Sequence, residues 1–344
     1  SIRKAGRVDN KDAFLDTNEM ERNRGITIFS KQAVFSYGGC EFTLLDTPGH
    51  VDFSAEMERT LQVLDYAVLV ISGADGVQGH TLTLWSLLER YKIPTFLFIN
   101  KMDQDGTQKD QLLKELQERL SSGCIDFGEK GSDEFYEMIA MEDEALLDHY
   151  LESGEITESK IREMIAERKI FPCFFGSALK LQGVNEFLSD FAFYTEEREY
   201  PEEFGARIFK ITRDENGNRL THLKVTGGNL KVKTVITEND EKINQIRIYS
   251  GEKYETVNEL QAGRICAVTG LSDTIPGQCL GAEQGGYEPV LEPVLTYQMI
   301  LPEETSASVI LPKLRQLEEE EPELHIIWNK FVDRSFVFQF FFDF

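Results

Sequence analysis

Hydrophobic and polar positions change rhythm twice along the chain. Between Glu41 and about Tyr194, short apolar runs alternate with stretches of helical period. Glu41–Leu45, Tyr66–Ser72, Thr95–Ile99 and Phe171–Phe175 read as buried strands. Between them, Leu82–Tyr91 and Lys109–Leu120 are helix-like. Val184, Phe187, Leu188 and Phe191 fall at i, i+3, i+4 and i+7, an amphipathic helix that closes the region. Strands that alternate with helices pair in parallel through crossovers, so residues 1–194 are expected to form an α/β layered domain.

The charged stretch 195–204, with Pro201, reads as a linker. Beyond it Gly205–Thr212, Leu220–Val225, Leu230–Thr237, Lys242–Tyr249 and Arg264–Gly270 are short, rich in β-branched residues and separated by turns such as Asn216-Gly217. That spacing predicts a small antiparallel barrel over 205–290. From Val294 to Trp328 a strand, a helix (Ala307–Glu320) and a second strand begin an α+β third domain, 291–344. Its final fourteen residues hold seven phenylalanines and follow no periodicity that defines an element.

Composition narrows the function classes. A length of 344 residues, 41% hydrophobic, suffices for two or three cored domains. No apolar run is long enough to span a bilayer and the first residues are polar and basic, so a soluble, cytoplasmic protein is expected. The five cysteines are scattered and never spaced as CxxC, which fits neither a zinc site nor a disulfide framework. A net charge of −24 argues against broad electrostatic adhesion to nucleic acid.

Four motifs carry candidate chemistry, each beside a predicted strand. Asp46-Thr47-Pro48-Gly49-His50 follows Glu41–Leu45. A carboxylate at a strand's carboxyl end sits where open α/β sheets bind ligands, and there Asp46 can hold Mg²⁺ through water. Gly49 would let its N–H approach a terminal phosphate. The same residue types also favour a plain strand-to-turn junction. Asn100-Lys101-Met102-Asp103 follows Thr95–Ile99. The carboxylate can accept from both N1–H and the 2-amino group of guanine, a pattern adenine lacks, while the Lys101 stem lies along the base or ribose.

Ser177-Ala178-Leu179 follows Phe171–Phe175, where turn N–H groups can meet the guanine 6-oxo oxygen; a helix N-cap at Ser177 is the equal alternative. Arg24-Gly25-Ile26-Thr27-Ile28 precedes the strand that leads to Asp46. Thr27 can offer its hydroxyl to Mg²⁺ and its carbonyl to an attacking water, as a nucleotide-sensing loop requires. A strand of β-branched residues after a glycine turn would look the same.

Together, and in this order, the four motifs resemble the GTPase superfamily. RGITI with DTPGHxDF narrows the resemblance to translational GTPases related to elongation factor G. It is closest to tetracycline resistance ribosomal protection proteins of the TetM and TetO kind, on Asp75-Gly76-Val77-Gln78, on the stretch Phe98–Gln104 and on Glu321-Pro322-Glu323-Leu324-His325. The resemblance runs from about Gly6 to Trp328. It implies a GTP hydrolase that uses GTP and Mg²⁺, acts on the ribosome as a monomer with neither DNA nor membrane as partner, and releases tetracycline. An elongation factor G-like translocase or a release-factor GTPase is the alternative, and a nucleotide-free binding module a third reading.

By the same resemblance Thr27 is the switch I threonine and Asp46 the switch II aspartate. His50 positions the hydrolytic water. Asn100, Lys101 and Asp103 read guanine, supported by Ser177, Ala178 and Leu179.

One element of the family pattern is not found. GxxxxGK[ST] cradles phosphates, yet no Gly-Lys dipeptide occurs in the sequence. The resemblance places that loop, with the domain's first strand, before Ser1. The expectation is an α/β G domain truncated at its N-terminus, then a β-barrel, then a ferredoxin-like α+β start, inactive as a GTPase by itself.

Overall fold

The computed structural model describes residues 27, 30–49, 54–236, 239–286, 289–290, 295–300, 307–329 and 335–340. The chain divides into two compact units. One comprises Ser1–Phe35, Phe42–Val63 and Glu199–Phe344; the other comprises Ser36–Glu41 and Leu64–Arg198.

Strands β1 (Lys31–Tyr37) and β2 (Cys40–Asp46) pair only with each other among the described residues. Gly38 and Gly39 join them, both at positive φ (59° and 84°), as a tight two-residue hairpin turn requires. This corrects the expectation of a buried strand at Glu41–Leu45, because Glu41, Thr43 and Leu44 are exposed. The local hairpin partner, supplied by the two glycines, decides where this segment pairs. Helix α1 (Ser54–Leu61) follows.

In the second unit, strands β3 (Ala67–Ser72), β4 (Thr95–Asn100), β5 (Cys124–Asp126) and β6 (Phe171–Phe175) form a parallel sheet in the order β3-β4-β6-β5. The helices are α2 (Gly79–Arg90), α3 (Lys109–Arg119), α4 (Asp133–Met141), α5 (Glu144–Ser153), α6 (Glu158–Ala166) and α7 (Val184–Tyr194). Sequence periodicity locates α2, α3 and α7. The three helices between β5 and β6 begin on side-chain caps: Ser132, Asp143 and Thr157 each accept a hydrogen bond from a backbone N–H three residues on. Their apolar faces and the sheet enclose an aromatic core of Phe96, Phe98, Phe127, Phe135, Phe174 and Phe187. The rings meet edge to face, as at Phe98–Phe187 (5.5 Å) and Phe127–Phe135 (5.2 Å).

The first unit carries the expected antiparallel domain. Strands β7 (Gly205–Arg213), β8 (Arg219–Gly227), β9 (Asn229–Lys231), β10 (Gln245–Ser250), β11 (Lys253–Val257), β12 (Glu259–Gln261), β13 (Ile265–Thr269) and β14 (Cys279–Gly281) form a six-stranded sheet, β11-β10-β13-β8-β7-β14, and a two-stranded sheet, β12-β9. Both sheets contribute to one core, with Ile208, Leu223, Ile246 and Val268 from the first and Leu230 and Leu260 from the second. The strand expected at Leu230–Thr237 is only three residues long, because the chain turns away after Lys231.

Downstream lie β15 (Leu295–Ile300), α8 (Ala307–Glu320), a 3-10 turn (Pro322–Leu324), β16 (Ile327–Asn329) and β17 (Ser335–Phe340). β17 is the centre of a three-stranded antiparallel sheet, so part of the phenylalanine-rich end is a paired strand. Among the described residues no helix is long and apolar enough to cross a membrane.

Candidate functional site

In the second unit the carboxyl ends of β3, β4 and β6 are stitched into one surface. Gly73 N–H donates to the Asn100 carbonyl (2.7 Å), Gly176 N–H to the Ile99 carbonyl (2.9 Å), and Met102 N–H to the Gly176 carbonyl (3.0 Å). Two of these positions have no room for a side chain. A Cβ on Gly73 would lie 2.8 Å from the Met102 sulfur, and one on Gly176 would lie 2.3 Å from the Gln182 carbonyl oxygen.

Asn100 holds two turns at once. Its Oδ1 accepts from Lys101 N–H (2.8 Å) within its own turn and from Ala178 N–H (2.9 Å) in the turn after β6. Lys101 takes a left-handed backbone (φ 64°), which turns the chain sharply off the strand. The turn is braced from behind: Gln104 N–H donates to the Lys101 carbonyl (3.1 Å), and the Thr107 hydroxyl donates to the Met102 and Gln104 carbonyls.

The loop after β6 closes on itself through Ser177 N–H to Gln182 carbonyl and Gln182 N–H to Ser177 carbonyl, both 3.0 Å. Ser177 is buried, whereas Leu179 stands exposed. The N–H groups of Ser177 and Ala178 are thus committed within the protein. Among the described residues no hydrogen-bond acceptor is found for the Leu179 N–H.

Asp103 faces this loop. Its Oδ2 lies 3.1 Å from the Lys180 ammonium, and its side chain is 20% exposed. The Ser177 hydroxyl, and after it the Lys180 ammonium, hold the Asp103 carboxyl below the usual carboxylate range. Asp103 is therefore an ionised acceptor at neutral pH. The structure brings Asn100, Lys101, Asp103, Ser177, Ala178 and Leu179 together; Lys180, which sequence reasoning passed over, belongs with them. Its only signal in the sequence was adjacency to the Ser-Ala-Leu triplet.

The remaining candidates lie in the first unit. Asp46 ends β2, half-buried; Pro48 is buried and Gly49 exposed, and among the described residues no atom lies within 4 Å of where a Gly49 Cβ would stand. Thr27 is half-buried. His50 lies outside the described residues. Thr27 and Asp46 supply a hydroxyl and a carboxylate, hard oxygen donors that suit Mg²⁺ when water and phosphate oxygens complete its shell. Among the described residues no group of three His, Cys, Asp or Glu side chains gathers that could hold a metal.

Just downstream of Asp46, helix α1 is charged but buried. Arg59, 1% exposed, donates to Glu56 (3.0 Å), to Glu321 (2.7 Å) and to Glu323. Glu56 also accepts from Lys210 of β7 (2.6 Å) and from Ser30 N–H (3.0 Å). Burial alone would push the Glu56 carboxyl up, but Lys210 and Arg59 together hold it far below its ordinary value. At Glu321 burial wins over Arg59 and the carboxyl is raised. Nothing in the sequence of α1 marks these charges as interior ones.

Turns at the carboxyl ends of a parallel sheet, with an amide and a carboxylate set against a second turn's backbone, define a nucleotide-binding α/β domain. Residues 1–197 match the family of the elongation factor Tu GTP-binding domain and residues 203–278 match elongation factor G domain 2, so the chain belongs to the translational GTPases of the elongation factor G superfamily. Among its relatives, elongation factor G of Mycoplasma pneumoniae is 30% identical over 81% of this chain and 51% of that protein. The oxytetracycline resistance protein of Streptomyces rimosus is 30% identical over 94% and 55%. The tetracycline resistance protein TetP of Clostridium perfringens is 29% identical over 96% and 55%. The chain thus spans about half the length of the curated relatives it matches. A solved structure from Thermus thermophilus shares the fold, with a TM-score of 0.83 at 21% identity over 97% of this chain and 59% of that one.

Proposed function

We propose that this chain forms the guanine-nucleotide-binding part of a ribosome-dependent GTPase that releases tetracycline from the ribosome. The observation that carries the nucleotide reading is Asn100, whose one amide oxygen locks the Asp103 turn to the Ser177–Leu179 turn. In that arrangement the Asp103 carboxylate accepts from guanine N1–H and the 2-amino group, Leu179 N–H meets the 6-oxo oxygen, and the Lys101 stem covers the base. Adenine presents an acceptor at N1 and has no 2-amino group, so it leaves Asp103 unmatched.

Thr27 and Asp46 are the residues that would hold Mg²⁺, which would offset the negative charge of the phosphates. His50 would orient the attacking water once the ribosome is engaged. A titration of GDP and ADP with Mg²⁺, into this chain and into a form extended upstream by a phosphate-binding loop, tests the base reading. Preference for GDP supports it, and equal binding of both nucleotides in both forms would refute it. For the GTPase step, His50→Ala in the extended, full-length protein is expected to retain GDP binding and lose ribosome-stimulated turnover.

The release of tetracycline is supported by relatives named for tetracycline and oxytetracycline resistance. A translocase role is the second reading, because elongation factor G matches at the same 30% identity as the oxytetracycline resistance protein. Expression of the full-length protein in a tetracycline-susceptible cell separates the two: protection supports release, and unchanged susceptibility supports the translocase.

A further inference from the structure

We propose that Lys180 is a positioning residue for guanine recognition, acting through Asp103. The inference rests on the guanine reading above. Asn100 ties the two reader turns together through backbone groups; the Lys180–Asp103 pair ties them a second time, and does so at the atom that reads the base.

Both ends of this pair are anchored. Lys180 N–H donates to the Ser177 carbonyl (3.2 Å), and Leu181, at φ 57°, returns its N–H to the Ala178 carbonyl (3.2 Å). The loop is then closed by the paired Ser177 and Gln182 bonds, so the Lys180 backbone is fixed even though its side chain is 53% exposed. Asp103 stands on the turn that Thr107 braces. Among the described residues Lys180 is the charged group in contact with Asp103, and Lys101 and Asp105 flank it along its own turn.

The contact does not block the reader. An ionised carboxylate offers about four lone-pair sites, and the Ser177 hydroxyl and the Lys180 ammonium at Oδ2 occupy two of them. Two guanine N–H donors can still be accepted in the carboxylate plane. The lysine therefore adds to the Ser177 hydroxyl in limiting rotation about the Asp103 side chain and favouring its charged form, so that less ordering remains to be done when the base arrives. The pH consequence follows from the same contact: without the ammonium, Asp103 takes up a proton at higher pH, and the acid-side loss of guanine binding begins earlier.

The test compares GDP with inosine diphosphate on the parent chain, Lys180→Met and Lys180→Arg, by calorimetry or by NMR titration. The two nucleotides differ only in the 2-amino group that Asp103 accepts, so their ratio isolates the reader from the phosphates. Lys180→Met is expected to reduce the preference for GDP over inosine diphosphate by about two- to five-fold, the scale of an exposed ion pair. It should also shift the acid limb of GDP binding upward in pH, and Lys180→Arg should restore both. An unchanged ratio and an unchanged acid limb in Lys180→Met, with the parent preferring GDP, would overturn the role of Lys180 while leaving the guanine reading in place. Equal weakening of both nucleotides would also overturn it, since it would show a general charge or folding effect. No preference for GDP over ADP, either in this chain or in the form extended upstream by a phosphate-binding loop, would instead overturn the guanine reading, and this inference with it.

Discussion

Arg59→Met removes one guanidinium from the centre of the first unit and leaves most of the local volume filled. Three carboxylates depend on it. Glu56 keeps Lys210 as a partner and Glu321 is about a third exposed to solvent, but Glu323, 6% exposed at its side chain, pairs with Arg59 alone among the described contacts. The variant therefore strands at least one buried carboxylate. Breaking a buried pair from one side costs about 3–5 kcal/mol, far beyond a surface substitution.

The pH dependence of that cost has a definite sign. With the cation gone, burial raises the folded-state value of a stranded carboxylate above that of the unfolded chain. A carboxyl raised on folding favours the folded state at low pH and ceases to do so as pH rises through its folded value. The penalty should accordingly be full near pH 8 and shrink as the pH falls toward about 5.

Urea denaturation of parent and variant at several pH values reads both quantities. Adding Glu323→Gln to Arg59→Met should recover part of the loss, because a neutral amide is less costly to bury than an unpaired charge. A loss below about 1 kcal/mol at pH 8, or one that grows on acidification, would refute the account of this cluster.

Three further outcomes are expected. Asn100→Ala should remove the acceptor for Lys101 and Ala178 N–H, costing about 1–2 kcal/mol because both donors keep access to water, and should abolish any preference for GDP over ADP; thermal denaturation and nucleotide titration check the two parts. Gly176→Ala should force the Gln182 carbonyl away from its 2.3 Å approach and destabilise the unit by about 1–3 kcal/mol, with amide shifts concentrated at residues 177–182 in NMR spectra. His222, which lies 2.8 Å from the Thr212 hydroxyl, is held down to about 3 by burial and then by Lys210. It should stay neutral in the folded protein while the unfolded chain protonates near the ordinary histidine value, so its share of stability falls by about 1.4 kcal/mol per pH unit below about 6.5; a ring resonance titrating near 6.5 in the folded protein would refute this.

Much of the candidate site was legible because its chemistry is local. Asn100, Lys101 and Asp103 follow the apolar run Phe96–Ile99, and Ser177–Leu179 follows the run Phe171–Phe175, so strand-end placement could be read from order along the chain. The pairing of those strands then brings the turns together. Lys180 was not legible: a lysine after a turn is commonplace, and its partner is seventy-seven residues away. The helices α4 to α6 escaped a reading guided by strands, and β5, β12 and β14, at three residues each, are too short to show a period of two.

By itself the sequence determined the parallel α/β layer, the antiparallel domain after Pro201, helix Ala307–Glu320 and the order of the candidate motifs, because each depends on neighbours within a few residues. Only the tertiary structure decided that β2 folds back on β1, that the N–H groups of Ser177 and Ala178 are committed within the protein, and that the charges of Ser54–Leu61 are interior. Glu56 and Arg59 would sit as readily on a solvated helix face. What makes them core residues is that Lys210, Glu321 and Glu323 arrive from 154 to 264 positions further along the chain, and burial turns an ordinary surface pattern into an ion cluster that must be fully matched.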